Sequence, residues 1–119
     1  MIERISPPGA PAPRGPYSPA VRAGGFIYIS GQVPPEQGDI RHETRQVLNN
    51  ISRILEGCGA GLADVVKCGV YLADGKDFAA MNEVYAEFFG AAKPARTTVA
   101  CQFAIPNIRI EVDVVAYRP

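Results

Sequence analysis

The sequence predicts an α+β domain in which one sheet carries two helices on a single face, and three observations point there. One is element order: strand, strand, strand, helix, strand, helix, strand, strand. It contains two strand-helix-strand crossovers, which right-handed connection places on the same side of the sheet. Another is period, since two segments are apolar every three to four residues while the closing segment alternates every second residue. The third is length: 119 residues make one domain, 1–119, whose folding buries roughly two-thirds of the surface its unfolded form exposes.

Ile2 to Ile5 reads as a short opening strand. Residues 6 to 16 then hold five prolines and two glycines, a stretch that enters neither a ladder nor a helix and is expected on the surface. Gly15-Pro16-Tyr17-Ser18-Pro19 closes it, with one phenol and one hydroxyl restricted by neighbouring prolines. Gly24 and Gly25 mark a hairpin turn between Ala20 to Ala23 and Phe26 to Ser30. Phe26-Ile27-Tyr28-Ile29 is β-rich on both faces, so both sides are expected to be covered, and it runs into a Ser30-Gly31-Gln32 bend where the glycine permits close approach.

From about Ile40 to Glu56, Val47, Leu48, Ile51, Ile54 and Leu55 recur on one helical face, with Arg41, Arg45, Asn49, Asn50 and Arg53 largely elsewhere. Asp39 is the candidate N-cap, and Gly57 and Gly59 supply the stop. Val65 to Leu72 follows as a strand. Gly75 or Asp77 opens the second helix, whose Phe78, Met81, Tyr85, Phe88 and Phe89 stripe is expected in the core, and Gly90 ends it. Lys93-Pro94 delivers the chain to a strand at Arg96. In the last strand, Ile108 to Tyr117, Ile108, Ile110, Val112 and Val114 face one way and Arg109, Glu111 and Asp113 the other.

Arg96 and Glu111 are the residues with a chemical claim. A guanidinium at the mouth of a strand offers a planar fork that matches a carboxylate or phosphate in two parallel hydrogen bonds; the bland alternative is a surface ion pair. Glu111 is presented by a rigid strand, and its bland alternative is the wet face of an edge strand. Twelve basic and twelve acidic residues cancel, which leaves no electrostatic footprint for nucleic acid or an anionic membrane. The N-terminus lacks the apolar run of a signal peptide, so the expectation is a soluble, cytoplasmic protein. Three dispersed cysteines and one histidine suggest neither disulfides nor zinc, and leave no evident partner for a Ser-His or Cys-His nucleophile. With both helices on one face, the other face is bare and needs a partner. A further copy of the chain is the economical one, with sites in the clefts between subunits.

Taken in order, Gly15-Pro16-Tyr17-Ser18, Ser30-Gly31-Gln32, Asn49-Asn50-Ile51, Asp64-Val65-Val66-Lys67, Asp77-Phe78, Asn82-Glu83-Val84-Tyr85, Phe88-Phe89, Pro94-Ala95-Arg96 and Ile110-Glu111-Val112 resemble the Rid family. These are the YjgF-like deaminases of reactive enamines and imines, and the similarity covers nearly the whole chain. It implies a chorismate-mutase-like subunit, a homotrimer with three interfacial clefts, and no metal or organic cofactor. It implies that Arg96 binds the substrate carboxylate and Glu111 holds or activates water, while Tyr17, Ser30, Gly31 and Asn82 line the same cleft. Thr98 stands where the family often has cysteine, and is expected to touch the substrate side chain. The implied reaction is hydrolysis of 2-imino acids to 2-oxo acids and ammonia; the alternative is a trimeric binder of 2-oxo or 2-amino acids without turnover. RNA cleavage has also been associated with such proteins, and the balanced charge and missing histidine pair argue against it.

Overall fold

The computed structural model describes residues 1–119. Six strands form one sheet: β1 (Ile2–Ile5), β2 (Ala20–Ala23), β3 (Phe26–Gln32), β4 (Val65–Leu72), β5 (Ala95–Ala100) and β6 (Ile110–Tyr117), in the spatial order β1-β2-β3-β6-β4-β5. Two helices, α1 (Ile40–Gly57) and α2 (Phe78–Phe89), pack on one face and on each other. Only β4 and β5 are parallel neighbours; the other pairs are antiparallel. No helix is long and apolar enough to cross a membrane.

The helices form where the apolar period demands. Asp39 caps α1 by accepting from the His42 amide at 2.9 Å, and Val47, Leu48, Ile51, Ile54 and Leu55 are buried against the sheet. One acid belongs to this buried side. Glu43, 1% exposed, accepts from the amides of Gly38 at 3.1 Å and Arg109 at 2.8 Å, which ties the start of α1 to the approach of β6. Asn50 is also buried, so it does not lie with the polar residues of the helix as its neighbours suggested. On α2, Met81, Val84 and Phe89 are core, whereas Phe78 is 45% exposed; the aromatic stripe is wider than the face the sheet can cover.

β6 is not an edge strand. It lies between β3 and β4, so the chain's last segment is the middle of the sheet, and its bland reading as a wet edge does not hold. Strand pairing begins at Ile110, two residues later than alternation suggests, since Asn107 takes a left-handed φ of 65° and the Arg109 amide turns to Glu43. Conversely, β3 continues through Ser30-Gly31-Gln32, because β6 pairs with it as far as Gln32, across an irregularity between Ile29 and Gln32.

The face away from the helices carries an aromatic group. Phe26, Tyr28 and Tyr117 are each 41% to 47% exposed, and the Phe26 and Tyr117 rings meet at a tilt of 56° with centroids 4.9 Å apart. Within one chain nothing covers them, so the expected cover on both sides of β3 is missing on this side.

Candidate active site

The sheet register decides which predicted site residues meet. Directly paired residues share a face. Arg96 pairs with Cys68 and Thr98 with Val70, and both partners are fully buried under the helices. Arg96 and Thr98 therefore project on the helix side, at the β5 edge. On β6, Ile110, Val112 and Val114 are the buried set, so Glu111 and Asp113 project from the opposite face. Between Arg96 and Glu111 lie one intervening strand and three residues of offset, Cys68 against Tyr71, or about 14 Å between Cα atoms at ordinary strand spacing.

The Arg96 half is built by α2. The guanidinium donates to Asn82 Oδ1 at 2.8 Å, and its carbon stands 4.7 Å from the Tyr85 ring centroid and 5.7 Å from that of Phe78. Asn82 and Tyr85 reach it because they lie three residues apart on one helical face. No carboxylate pairs with Arg96, whereas Arg41 and Arg45 pair with Glu83 and Glu87. Burial raises the Tyr85 phenol above its usual range and pushes the Cys68 thiol up to about 11, so both stay protonated at neutral pH. Two buried hydroxyls here, Tyr85 Oη and Thr98 Oγ1, lack hydrogen-bond partners. Orphaned buried polar atoms are rare enough to need a cause, and a polar ligand on the guanidinium is one.

The Glu111 half lies at the far end of β3. A cavity of about 670 Å³ is lined by Tyr17, Ser30, Gly31, Gln32, Asn50 and Glu111, with prolines of the early loop and of residues 34–35 among its walls. Ser30 Oγ donates to the Ser18 carbonyl at 2.7 Å, and the Ser30 amide to that of Pro19 at 3.0 Å, which anchors the proline loop on β3. The Tyr17 phenol accepts from the Arg14 amide at 3.1 Å. Gly31 is required by space: a Cβ there would collide with Glu111 Oε2. Burial first, and the neighbouring Asp113 charge second, hold the Glu111 carboxyl above the usual range, which makes it a better proton acceptor than an exposed glutamate.

The structure thus groups Tyr17, Ser30, Gly31 and Glu111 in one place and Arg96, Asn82 and Thr98 in another; it does not bring the two together within one chain. Three residues near the first group stand in the sequence motifs or patterns above without having been given a site role. Gln32 and Asn50 line the cavity, and the Asn50 amide nitrogen is buried without a partner. Asp113 follows Glu111 by two on a strand, and the alternation of the last strand places it on the same face as the glutamate.

Residues 8–118 match the family described as Endoribonuclease L-PSP. A RutC family protein from Pyrococcus horikoshii is 49% identical over 125 aligned positions, covering 99% of each chain. A 2-iminobutanoate/2-iminopropanoate deaminase from Dermatophagoides farinae is 40% identical over 116 positions, 92% of this chain and 91% of that one. Among solved structures, E. coli TdcF with bound serine superposes with a TM-score of 0.90 at 29% identity, covering 98% of this chain and 99% of that chain.

Proposed function

This chain belongs to the Endoribonuclease L-PSP family, which includes the YjgF and RutC proteins, and from that premise we propose that it hydrolyses 2-imino acids and their enamine tautomers to 2-oxo acids and ammonia. The observation that carries the reading is the division of the chemistry. The Glu111 carboxylate sits in a cavity on one face of the sheet, and the Arg96 guanidinium, paired with no carboxylate and near unpartnered hydroxyls, sits on the other face at an edge. A second copy is needed to complete either half. Three copies arranged head to tail, each laying its Arg96 edge beside the next copy's Glu111 cavity, give three composite clefts. The exposed Phe26, Tyr28 and Tyr117 cluster supplies apolar surface for the association.

In such a cleft Arg96 holds the substrate carboxylate by two coplanar hydrogen bonds, with Asn82 fixing the fork. The protonated imine is already electrophilic, so positioning and one base suffice. Glu111 takes a proton from water as its oxygen bonds to the imine carbon. The resulting carbinolamine then receives that proton on nitrogen; as the carbon-nitrogen bond breaks, Glu111 takes the hydroxyl proton, so the 2-oxo acid forms and ammonia leaves, carrying that proton off as ammonium. Arg96 and Glu111 are the catalytic residues; Tyr17, Ser30, Gly31, Asn82 and Thr98 bind and shape the substrate. The named mite relative, and an E. coli relative holding serine, an amino acid with the same carboxylate, support this substrate class.

The test is ammonia release from imino acids freshly generated by an amino-acid oxidase, measured above spontaneous hydrolysis. Wild type is expected to accelerate it, and Glu111→Gln to retain ligand binding while losing about 10²-fold or more in rate. Binding without acceleration by wild type would make the chain a carrier of such acids instead.

A further inference from the structure

Two glycines seat two carboxylates on β6. Glu111 lies over Gly31 of β3, and Asp113 lies over its register partner Gly69 of β4. A Cβ at Gly69 would stand 2.6 Å from Asp113 Oδ1 and 2.7 Å from Tyr71 Oη. Asp113 Oδ2 accepts from the Tyr71 phenol at 2.9 Å. Being two apart on an extended strand, the acids share a face with Cα atoms about 6 to 7 Å apart. Neither makes an ion pair within the chain.

The groups facing Glu111 are few. From β3 come Ser30 and Gly31, which carry no charge, and from β4 comes the Tyr71 phenol. On β6 itself stands Asp113; Arg109 precedes the strand, and its guanidinium turns to the start of α1, donating to the Gly38 carbonyl at 2.8 Å and lying 3.9 Å from Glu43. The loop bounding the cavity brings Arg14 and Tyr17. Among them Asp113 is the one charge that bears on Glu111 titration, adding to the effect of burial. Tyr71 is raised in turn, chiefly by its bond to Asp113.

We propose that Asp113 is a positioning residue for the Glu111 chemistry: fixed by Tyr71 and by the bare backbone of Gly69, its carboxylate acts on Glu111 across the face of β6 that the two share, without touching the substrate. The pair divides the work of two carboxylates by environment, one held by a phenol and one left in the cavity as base. If the Tyr71-Asp113 bond is only a staple between β4 and β6, Glu111 will be indifferent to it. The inference rests on Glu111 being the proton acceptor.

The test is a carboxyl ¹³C NMR titration of Glu111, assigned by its loss in Glu111→Gln, in wild type, Asp113→Asn and Tyr71→Phe. Asp113→Asn is expected to lower the Glu111 midpoint by about half a unit to one unit, the effect of one charge at this distance in a partly wet site. Tyr71→Phe is expected to raise it by roughly a few tenths, since the phenol no longer draws charge from Asp113. The acid limb of kcat/KM should follow both. An unmoved midpoint in both variants, or shifts of the same sign, overturns the proposal. If Asp113→Asn does not fold, the sign in Tyr71→Phe, which removes only an oxygen, decides alone. The titration reads Glu111 whether or not the protein turns over, so absence of imine hydrolysis would sink the proposed function and leave this result standing.

Discussion

Arg96 and Glu111 stand on opposite faces of one sheet, separated by the width of β4. Their register partners establish it: Cys68 beside Arg96 is buried under the helices, and Glu111 alternates with the buried Ile110 and Val112. A substrate small enough to be 2-iminopropanoate cannot touch both within a single chain. A site using both residues must therefore be composite.

The pH profile should carry the signature of Glu111. Its folded midpoint is raised by burial and then by Asp113, so kcat/KM should fall with unit slope on the acid side, with a limb above the ordinary 4.5 of a glutamate. The linked stability has a definite sign. A raised carboxyl favours folding below its unfolded midpoint, and that contribution is lost as pH rises through the folded one. Glu111→Gln should accordingly lose the kinetic limb while its Tm at neutral pH does not drop below wild type. A limb at or below the ordinary glutamate value, or a fall in Tm, would speak against an uncompensated buried acid.

Gly31→Ala should disable Glu111 while sparing the fold. The added Cβ meets the free end of a flexible side chain rather than backbone, so the carboxylate swings aside, and a displacement of about 1 Å is enough to lose roughly 10²-fold in kcat. Combined with Glu111→Gln it should add nothing further. Additive losses in the double variant would separate the two residues.

Phe26→Asp should break the assembly. It puts a charge into the aromatic patch where the Phe26 ring packs against that of Tyr117, and each copy in a ring would have to desolvate it. Light scattering at micromolar concentration should give a trimer for wild type and a monomer for the variant, with turnover lost alongside. An active monomer would place the whole site within one chain.

Arg96→Lys conserves charge and loses the fork, so orientation should fail before attraction does. The expected loss is on the order of 2 to 5 kcal/mol of transition-state stabilisation. It should be shared by imino acids of different side chains, because the carboxylate is their common part, whereas changes at Tyr17 or Thr98 should alter ranking among them. Steady-state kinetics on three imino acids decides it: a defect confined to one of them would mean that Arg96 reads the side chain.

Much of this was legible in the residues. The α1 stripe, the Gly24-Gly25 turn, with Gly24 at φ 61°, and the β6 alternation each encode a local period or a required backbone shape, which composition reports directly. What was not legible is non-local. Ser30-Gly31-Gln32 reads as a bend because nothing nearby in sequence reveals that β6, some eighty positions on, holds it in the ladder. Glu43 and Asn50 look like ordinary polar helix residues, and their burial depends on what packs above them. The face on which Arg96 projects depends on its pairing with Cys68, which the β5 sequence does not state. Tyr71 and Asp113 meet only because β4 and β6 are neighbours.

The composite site is tested most directly by mixing two inactive proteins. On the proposed reading Arg96→Ala lacks the carboxylate anchor and Glu111→Gln lacks the base. Unfolded together at equal amounts and refolded, they should form mixed trimers in which a cleft is intact only when Arg96 comes from one kind of copy and Glu111 from the other. Random assembly makes about one cleft in four intact, so ammonia release from imino acids should return to about a quarter of wild type, while each variant refolded alone stays inactive. A mixture as inactive as its components, with trimers present, would contradict the account, because it would mean that Arg96 and Glu111 must lie on the same chain to act.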